Sequence, residues 1–72
     1  MSVFEYKQRL IEVIFVSPTN DDPVTLECTD LRSEMLFTIF RDKAGELVFR
    51  SLSENIPLDL IQLVATMANE GL

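Results

Sequence analysis

The sequence predicts an α+β fold: a four-stranded antiparallel β-meander with one C-terminal helix packed on the sheet. Three observations support this class. Short runs of aromatic and β-branched residues recur, turn-forming residues separate several of them, and the last apolar segment has helical spacing. Because the chain has 72 residues and shows no repeat or linker, we expect one small domain over residues 1–72.

The N-terminal part allows two interpretations. Leu10–Val16, with the sequence LIEVIFV, is predicted as a strand because it is rich in β-branched residues. In residues 2–9, Ser2 followed three positions later by Glu5 has the form of a helix capping box. The aromatic residues of the same segment would equally extend the strand. We prefer a long first strand and keep a short N-terminal helix as the alternative.

Proline and aspartate residues mark the first loop. Ser17–Pro23, with the sequence SPTNDDP, combines residues whose fixed φ or local side-chain hydrogen bonds disfavour a strand. Val24–Thr29 (VTLECT) then predicts the second strand, and the short connection DLRSE follows it.

A hairpin is predicted near the middle of the chain. Its arms, Met35–Arg41 and Glu46–Ser51, are rich in aromatic and branched residues, and Asp42–Gly45 (DKAG) lies between them. This sequence is typical of a type I turn followed by a left-handed glycine, since glycine accepts a positive φ without a steric cost. We therefore expect Asp42 to lie opposite Glu46.

Residues 55–71, with the sequence NIPLDLIQLVATMANEG, predict a helix. Asn55 or Ile56 is the expected cap, Pro57 is tolerated in the first turn, and Gly71 is the expected stop. At ~100° per residue the polar side chains span an arc of only about 100°. The apolar side chains form two sub-faces: Ile56, Leu60, Leu63, Val64 and Met67 on one, and Leu58, Ile61, Ala65, Ala68 and Leu72 on the other.

The strands are also apolar on both faces. In the third strand, Phe37 and Ile39 point to one side, whereas Leu36 and Phe40 point to the other. One helix covers one face of a sheet, so one of these pairs needs another cover. The chain's own N-terminal segment, folded as a helix, is one candidate. A second copy of the chain or a different protein is the other.

This apolar surplus favours association. One cysteine and no histidine exclude an intramolecular disulfide and disfavour a zinc site, which are common means of stabilising a small domain. We therefore expect a homodimer, most simply with C2 symmetry. The candidate interface residues are Phe37, Ile39, Phe40, Arg41, Arg50, Leu58, Ile61 and Ala65.

Charge and composition narrow the function classes. Twelve acidic residues against six basic ones give a net charge of −6, and the basic residues are scattered. This pattern disfavours direct nucleic-acid binding, which needs a basic stripe, and allows a basic protein partner. Without histidine or a glycine-rich phosphate loop, and with Cys28 inside a predicted strand, we expect no catalytic residue, no cofactor and no metal ion.

The sequence therefore predicts a small acidic interaction module, such as an inhibitor, adaptor or accessory protein, that docks on a protein partner. The alternatives are a homodimer with a purely structural role, an acidic mimic of nucleic acid and, least favoured, an enzyme with a composite site between subunits. No run approaches the ~20 apolar residues of a membrane span. The single free cysteine and the lack of a convincing signal peptide favour the cytoplasm.

Overall fold

A computed structural model describes residues 2–17 and 23–72 and shows an antiparallel sheet with one helix on it. The sheet has five strands, one more than predicted, in the spatial order β1-β2-β3-β4-β5. The elements are β1 (Ser2–Tyr6), β2 (Arg9–Val16), β3 (Thr25–Asp30), β4 (Met35–Arg41), β5 (Leu47–Ser51) and α1 (Leu58–Gly71). Each strand pairs with its neighbour in sequence, so the α+β meander with a C-terminal helix is confirmed. The predicted loop at Ser17–Pro23 lies mostly outside the described residues.

The N-terminal residues form a hairpin. The preferred strand interpretation is correct for Ser2–Tyr6 and for Arg9, but a turn divides the predicted long strand into two, and the alternative helix is not formed. Tyr6 pairs with Arg9, and the two residues between them, Lys7 and Gln8, have φ values of +47° and +69°. Two-residue hairpin turns with positive φ at both central positions usually contain Asn or Gly. Lys7 and Gln8 are neither Asn nor Gly, so the sequence contains no indication of a turn between the two strands.

The β4–β5 turn has the predicted form. Gly45 has a φ of +84°, and its N–H donates to the carbonyl oxygen of Asp42 at 3.0 Å. The carboxylate oxygen Oδ1 of Asp42 accepts hydrogen bonds from the backbone N–H groups of Ala44 and Glu46, at 2.9 and 3.0 Å. The N–H of Asp42 donates to the carbonyl of Glu46 at 2.9 Å, which confirms that these residues lie opposite each other.

The helix begins later than predicted and ends where expected. Pro57 occupies the N-cap position, and no side chain caps the helix there. Asn55, one of the two predicted caps, instead has a φ of +57° in the preceding connection. Gly71 is the last helical residue, but its importance is steric: a Cβ atom there would lie 2.5 Å from Cζ of Phe15. The glycine therefore allows the end of the helix to approach the Phe15 ring.

The core lies between the helix and one face of the sheet. Alternate strand residues point toward the helix, and a β-bulge between Cys28 and Thr29 coincides with two consecutive buried residues in β4. The helix contributes residues spaced four apart, which therefore share one stripe. The buried apolar residues are Ile11, Val13, Leu26, Cys28, Leu36, Phe37 and Ile39 from the sheet, and Leu60, Val64 and Ala68 from the helix.

Candidate interaction surface

The face of the sheet opposite the helix is uncovered by any described helix or strand. We call it the open face. Every residue on it is exposed or half-buried, whereas alternate residues of the same strands are buried on the helix side. By the register of the strands, the open face consists of Val3, Glu5, Leu10, Glu12, Ile14, Val16, Thr25, Glu27, Thr29, Met35, Thr38, Phe40, Val48 and Arg50.

Two rows of side chains cross the open face from β2 to β5. Residues that pair across antiparallel strands lie side by side on one face, with Cβ atoms about 5 Å apart. The apolar row contains Val16, Thr25, Phe40 and Val48. The charged row contains Ile14, Glu27, Thr38 and Arg50. The open face is therefore mixed: apolar at one row, with one negative and one positive side chain in the next.

The structure separates the predicted interface residues of β4. Phe40 is half-buried on the open face, and Arg50 is exposed in the neighbouring strand of the same face. In contrast, Phe37 and Ile39 are 0% and 3% exposed and belong to the core beneath the helix. Because the helix covers this side of β4, Phe37 and Ile39 are core residues and do not belong to the open face.

The remaining candidates lie on the helix side of the sheet or on the helix. Arg41 is half-buried, and its guanidinium donates to the carbonyl oxygen of Gly45 at 2.6 Å, which supports the hairpin turn. Ile61 and Ala65 are half-buried and pack against the core cluster. Leu58 remains 65% exposed at the start of the helix. These four residues therefore do not join Phe40 and Arg50 in one surface.

The residues at the centre of the open face were not among the predicted interface residues. Glu27 and Thr38 pair across β3 and β4, and Thr38 pairs with Arg50 of β5. The alternation of Leu26 and Cys28 would have placed Glu27 on the outward side of its strand. The alignment of Glu27 with Arg50 depends on two inter-strand registers, for which the local sequence contains no signal.

The carboxylate of Asp30, the last residue of β3, is buried and forms two hydrogen bonds. Oδ2 of Asp30 accepts a hydrogen bond from Nε of Arg9 at 2.9 Å, and Oδ1 accepts from the backbone N–H of Arg32 at 3.0 Å. Asp30 is only 6% exposed. The backbone hydrogen bond, followed by the bond from Arg9, lowers the pKa of Asp30 below its usual value. The carboxylate therefore stabilises the end of β3 in its ionised form.

We expect Asp30→Asn to reduce the acid sensitivity of folding. A carboxyl whose pKa is lowered on folding stabilises the native state above its unfolded pKa of about 4, and this contribution is lost as the pH falls through the folded value. The wild-type protein should therefore lose more stability than Asp30→Asn when urea unfolding is compared at neutral and strongly acidic pH. Arg9→Gln keeps the backbone bond and should fall between them. If all three proteins lost the same free energy of unfolding between neutral and acidic pH, the stabilising role of the ionised Asp30 would be contradicted.

The described residues offer little catalytic chemistry. Cys28 is fully buried, and its burial raises the pKa of the thiol to about 11, so the thiolate nucleophile is disfavoured. A shallow depression lined by Glu34 and the segment 51–54 is open to solvent, and Oγ of Ser53 donates to Oε1 of Glu34 there at 2.9 Å. Within residues 2–17 and 23–72, no three Cys, Asp or Glu side chains converge as a metal site.

Comparisons with known proteins give no assignment. No family model, no curated protein and no solved structure matches this chain. Among the described residues, no helix has the length and apolar character needed to cross a membrane, since α1 has 14 residues. The distinguishing features of the described residues are the α+β fold and the open face.

Proposed function

We propose that this chain is a small acidic cytoplasmic interaction module, of the inhibitor, adaptor or accessory type, that docks on a protein partner and forms a homodimer through its open face. The observation that carries the proposal is the open face itself. Seven of its side chains are apolar, and no described helix or strand lies over them: Val3, Leu10, Ile14, Val16, Met35, Phe40 and Val48.

The size of this face supports association. The five strands have 5, 8, 6, 7 and 5 residues, so at about 3.4 Å per residue and about 4.8 Å between strands the face presents on the order of 500 Å² before side-chain relief is counted. Standard protein interfaces bury ~800 Å² per partner, so the whole face could supply more than half of such an interface. The N-terminal segment does not cover it, because residues 2–6 extend the sheet as β1. This removes the intramolecular alternative suggested by the sequence.

The acidic charge supports the docking part of the proposal. A net charge of −6 attracts basic surfaces and steers their approach, while it opposes binding to phosphate backbones. A cytoplasmic location is supported by the free thiol of Cys28, since cysteines usually remain reduced there. A structural homodimer without docking remains the alternative that the experiment must distinguish.

The proposal is tested by measuring molar mass with size-exclusion chromatography and light scattering. We expect the wild-type chain to be a dimer and Phe40→Ser to weaken the dimer by at least about tenfold, because a central aromatic anchor contributes more than ~1.4 kcal/mol. Leu63→Ser is the matched control, since Leu63 is an exposed apolar residue on the helix, 47% accessible. It should leave the dimer intact.

Two outcomes would contradict the proposal. A wild-type chain that stays monomeric at high concentration would reject self-association, and a dimer broken by Leu63→Ser but not by Phe40→Ser would move the interface to the helix.

Docking is tested by affinity capture from the native host with both the wild-type protein and Phe40→Ser. The expected partner is basic and is released by salt, since salt screens exposed charges. A lack of any such partner would leave the structural homodimer.

A further inference from the structure

We propose that the homodimer has its twofold axis along β4, so that Glu27 of each copy pairs with Arg50 of the other across the two open faces. This inference rests on the proposed self-association and specifies its geometry. The partner is a second copy of this chain, and the recognition chemistry is a reciprocal pair of carboxylate–guanidinium contacts around an apolar centre.

The charged row has the symmetry that such a dimer needs. Glu27, Thr38 and Arg50 lie in register on β3, β4 and β5. Neighbouring strands are about 4.8 Å apart, so the two opposite charges lie at equal distances on either side of Thr38. A twofold axis parallel to β4 exchanges the positions above β3 and β5. It therefore places each Glu27 opposite an Arg50 and leaves Thr38 facing Thr38.

The same axis brings the apolar row together. Thr25, Phe40 and Val48 are aligned on the same three strands, one row along from the charged residues. The operation stacks Phe40 against Phe40 at the axis and places each Val48 opposite a Thr25. The centre of the interface is then aromatic. The arrangement covers β3, β4 and β5, and β1 and β2 lie beyond the partner's β5. The carboxylates of Glu5 and Glu12 therefore stay in water, and the apolar side chains of the same two strands also lie outside this contact: Val3, Leu10, Ile14 and Val16.

The charges of Glu27 and Arg50 are unused within one chain. The two side chains are two strands apart, about 10 Å, and neither has an ion-pair partner within residues 2–17 and 23–72. Packed sheets are also about 10 Å apart, a gap that a glutamate and an arginine facing each other can bridge. A second copy would thus place a partner directly opposite each charge, whereas Thr38 lies between the two charges within one chain.

Charge also favours this axis over one perpendicular to the strands. A twofold axis perpendicular to the strands, through the charged row, would place Glu27 opposite Glu27 and Arg50 opposite Arg50. Like charges facing each other are unfavourable across an interface. The axis along β4 converts the same four side chains into two attractive pairs, so the row distinguishes the two arrangements.

Charge reversal tests the pairing. Glu27→Arg gives a homodimer in which four positive charges meet, and Arg50→Glu gives one in which four negative charges meet. We expect each variant to dimerise at least about tenfold more weakly than wild type, measured by sedimentation equilibrium. An equal mixture of the two variants should form a heterodimer, because the introduced arginine then faces the introduced glutamate. The double variant E27R/R50E should also dimerise, with its pairs reversed.

The controls make the same charge changes elsewhere. Glu70→Arg lies at the end of the helix and Lys43→Glu in the β4–β5 turn; both positions are exposed, and both variants should dimerise as wild type does. Circular dichroism checks that each variant is folded. If a single charge-reversal variant unfolds, the pairing is tested with E27R/R50E and with the neutral variants E27Q and R50Q. We expect the neutral variants to weaken the dimer and to reduce its salt dependence.

The outcomes separate this inference from the proposed function. A dimer that Phe40→Ser breaks, but that E27R and R50E leave as tight as the controls, would overturn the pairing and keep the open face as the interface. A mixture of E27R and R50E that fails to associate would also overturn it. A monomeric wild-type chain would reject the proposed self-association itself, and the pairing with it.

Discussion

Replacing Phe37 by alanine is expected to lower the free energy of unfolding by about 3–5 kcal/mol. Phe37 heads the largest fully buried side chains of the described residues, with 0% exposure. It lies in β4 opposite Cys28 of β3, and its ring centroid is 5.2 Å from that of Phe49. Truncation removes apolar contacts on the helix side of the sheet and leaves a cavity that the surrounding strands cannot fully close.

The loss would be a large share of the total. Domains have roughly 0.05–0.15 kcal/mol of stability per residue, which for this length is about 4–11 kcal/mol. Urea unfolding followed by circular dichroism, at one fixed protein concentration, measures the change. The concentration must be constant because self-association stabilises the native state by mass action.

Phe15→Ala is the matched control for Phe37→Ala. Phe15 is also on the helix side of the sheet but is 43% exposed, so its truncation removes fewer contacts and leaves no closed cavity. We expect at most about half of the loss seen for Phe37→Ala. Equal losses in both variants would contradict the placement of Phe37 at the centre of the core.

The comparison of sequence with structure shows which signals are local. The β4–β5 hairpin was predictable because its turn requires a positive φ, and Gly45 is the residue that provides it at low cost. The β1–β2 turn requires the same kind of backbone, but Lys7 and Gln8 adopt it without any compositional mark. The fifth strand was not predicted because the pairing of β1 with β2 imposes a positive φ on two residues that rarely adopt it.

The helix shows the limit of angular arguments. Its narrow polar arc correctly indicated excess apolar surface, since Leu58 and Leu63 remain 65% and 47% exposed. The division into two sub-faces was less useful, because the buried stripe of Leu60, Val64 and Ala68 takes members from both. The helix packs with the middle of its apolar arc against the sheet. The apolar residues at the two edges of that arc therefore remain partly exposed.

The candidate surface was predictable only in part. Strand alternation predicted two apolar faces, and both exist, but it left open which face the helix covers. That choice depends on the packing of the whole core, so Phe37 and Ile39 were named alongside Phe40 although they lie on opposite sides of β4. The alignment of Glu27 with Arg50 arises from two strand registers and is a property of the folded sheet alone.

The orientation of the helix leads to a second large effect. Leu60→Ala is expected to destabilise the protein by about 2–5 kcal/mol, whereas Leu63→Ala should change its stability by less than about 0.5 kcal/mol. Leu60 is 0% exposed in the core, and Leu63 is 47% exposed less than one turn away. Both substitutions remove the same atoms from the same helix, so the difference between them reports burial rather than chemistry.

Helix propensity contributes nearly equally to Leu60→Ala and Leu63→Ala, so it cancels when the two losses of stability are compared. Alanine is a slightly better helix former than leucine, and the gain is the same at both positions to a first approximation. Urea unfolding of the two variants at one protein concentration therefore measures how the helix is rotated against the sheet. Equal losses would mean that the Leu63 margin is also covered, as it would be if the helix side formed the dimer contact. A large loss confined to Leu60→Ala supports an exposed helix margin and leaves the open face as the surface available for association.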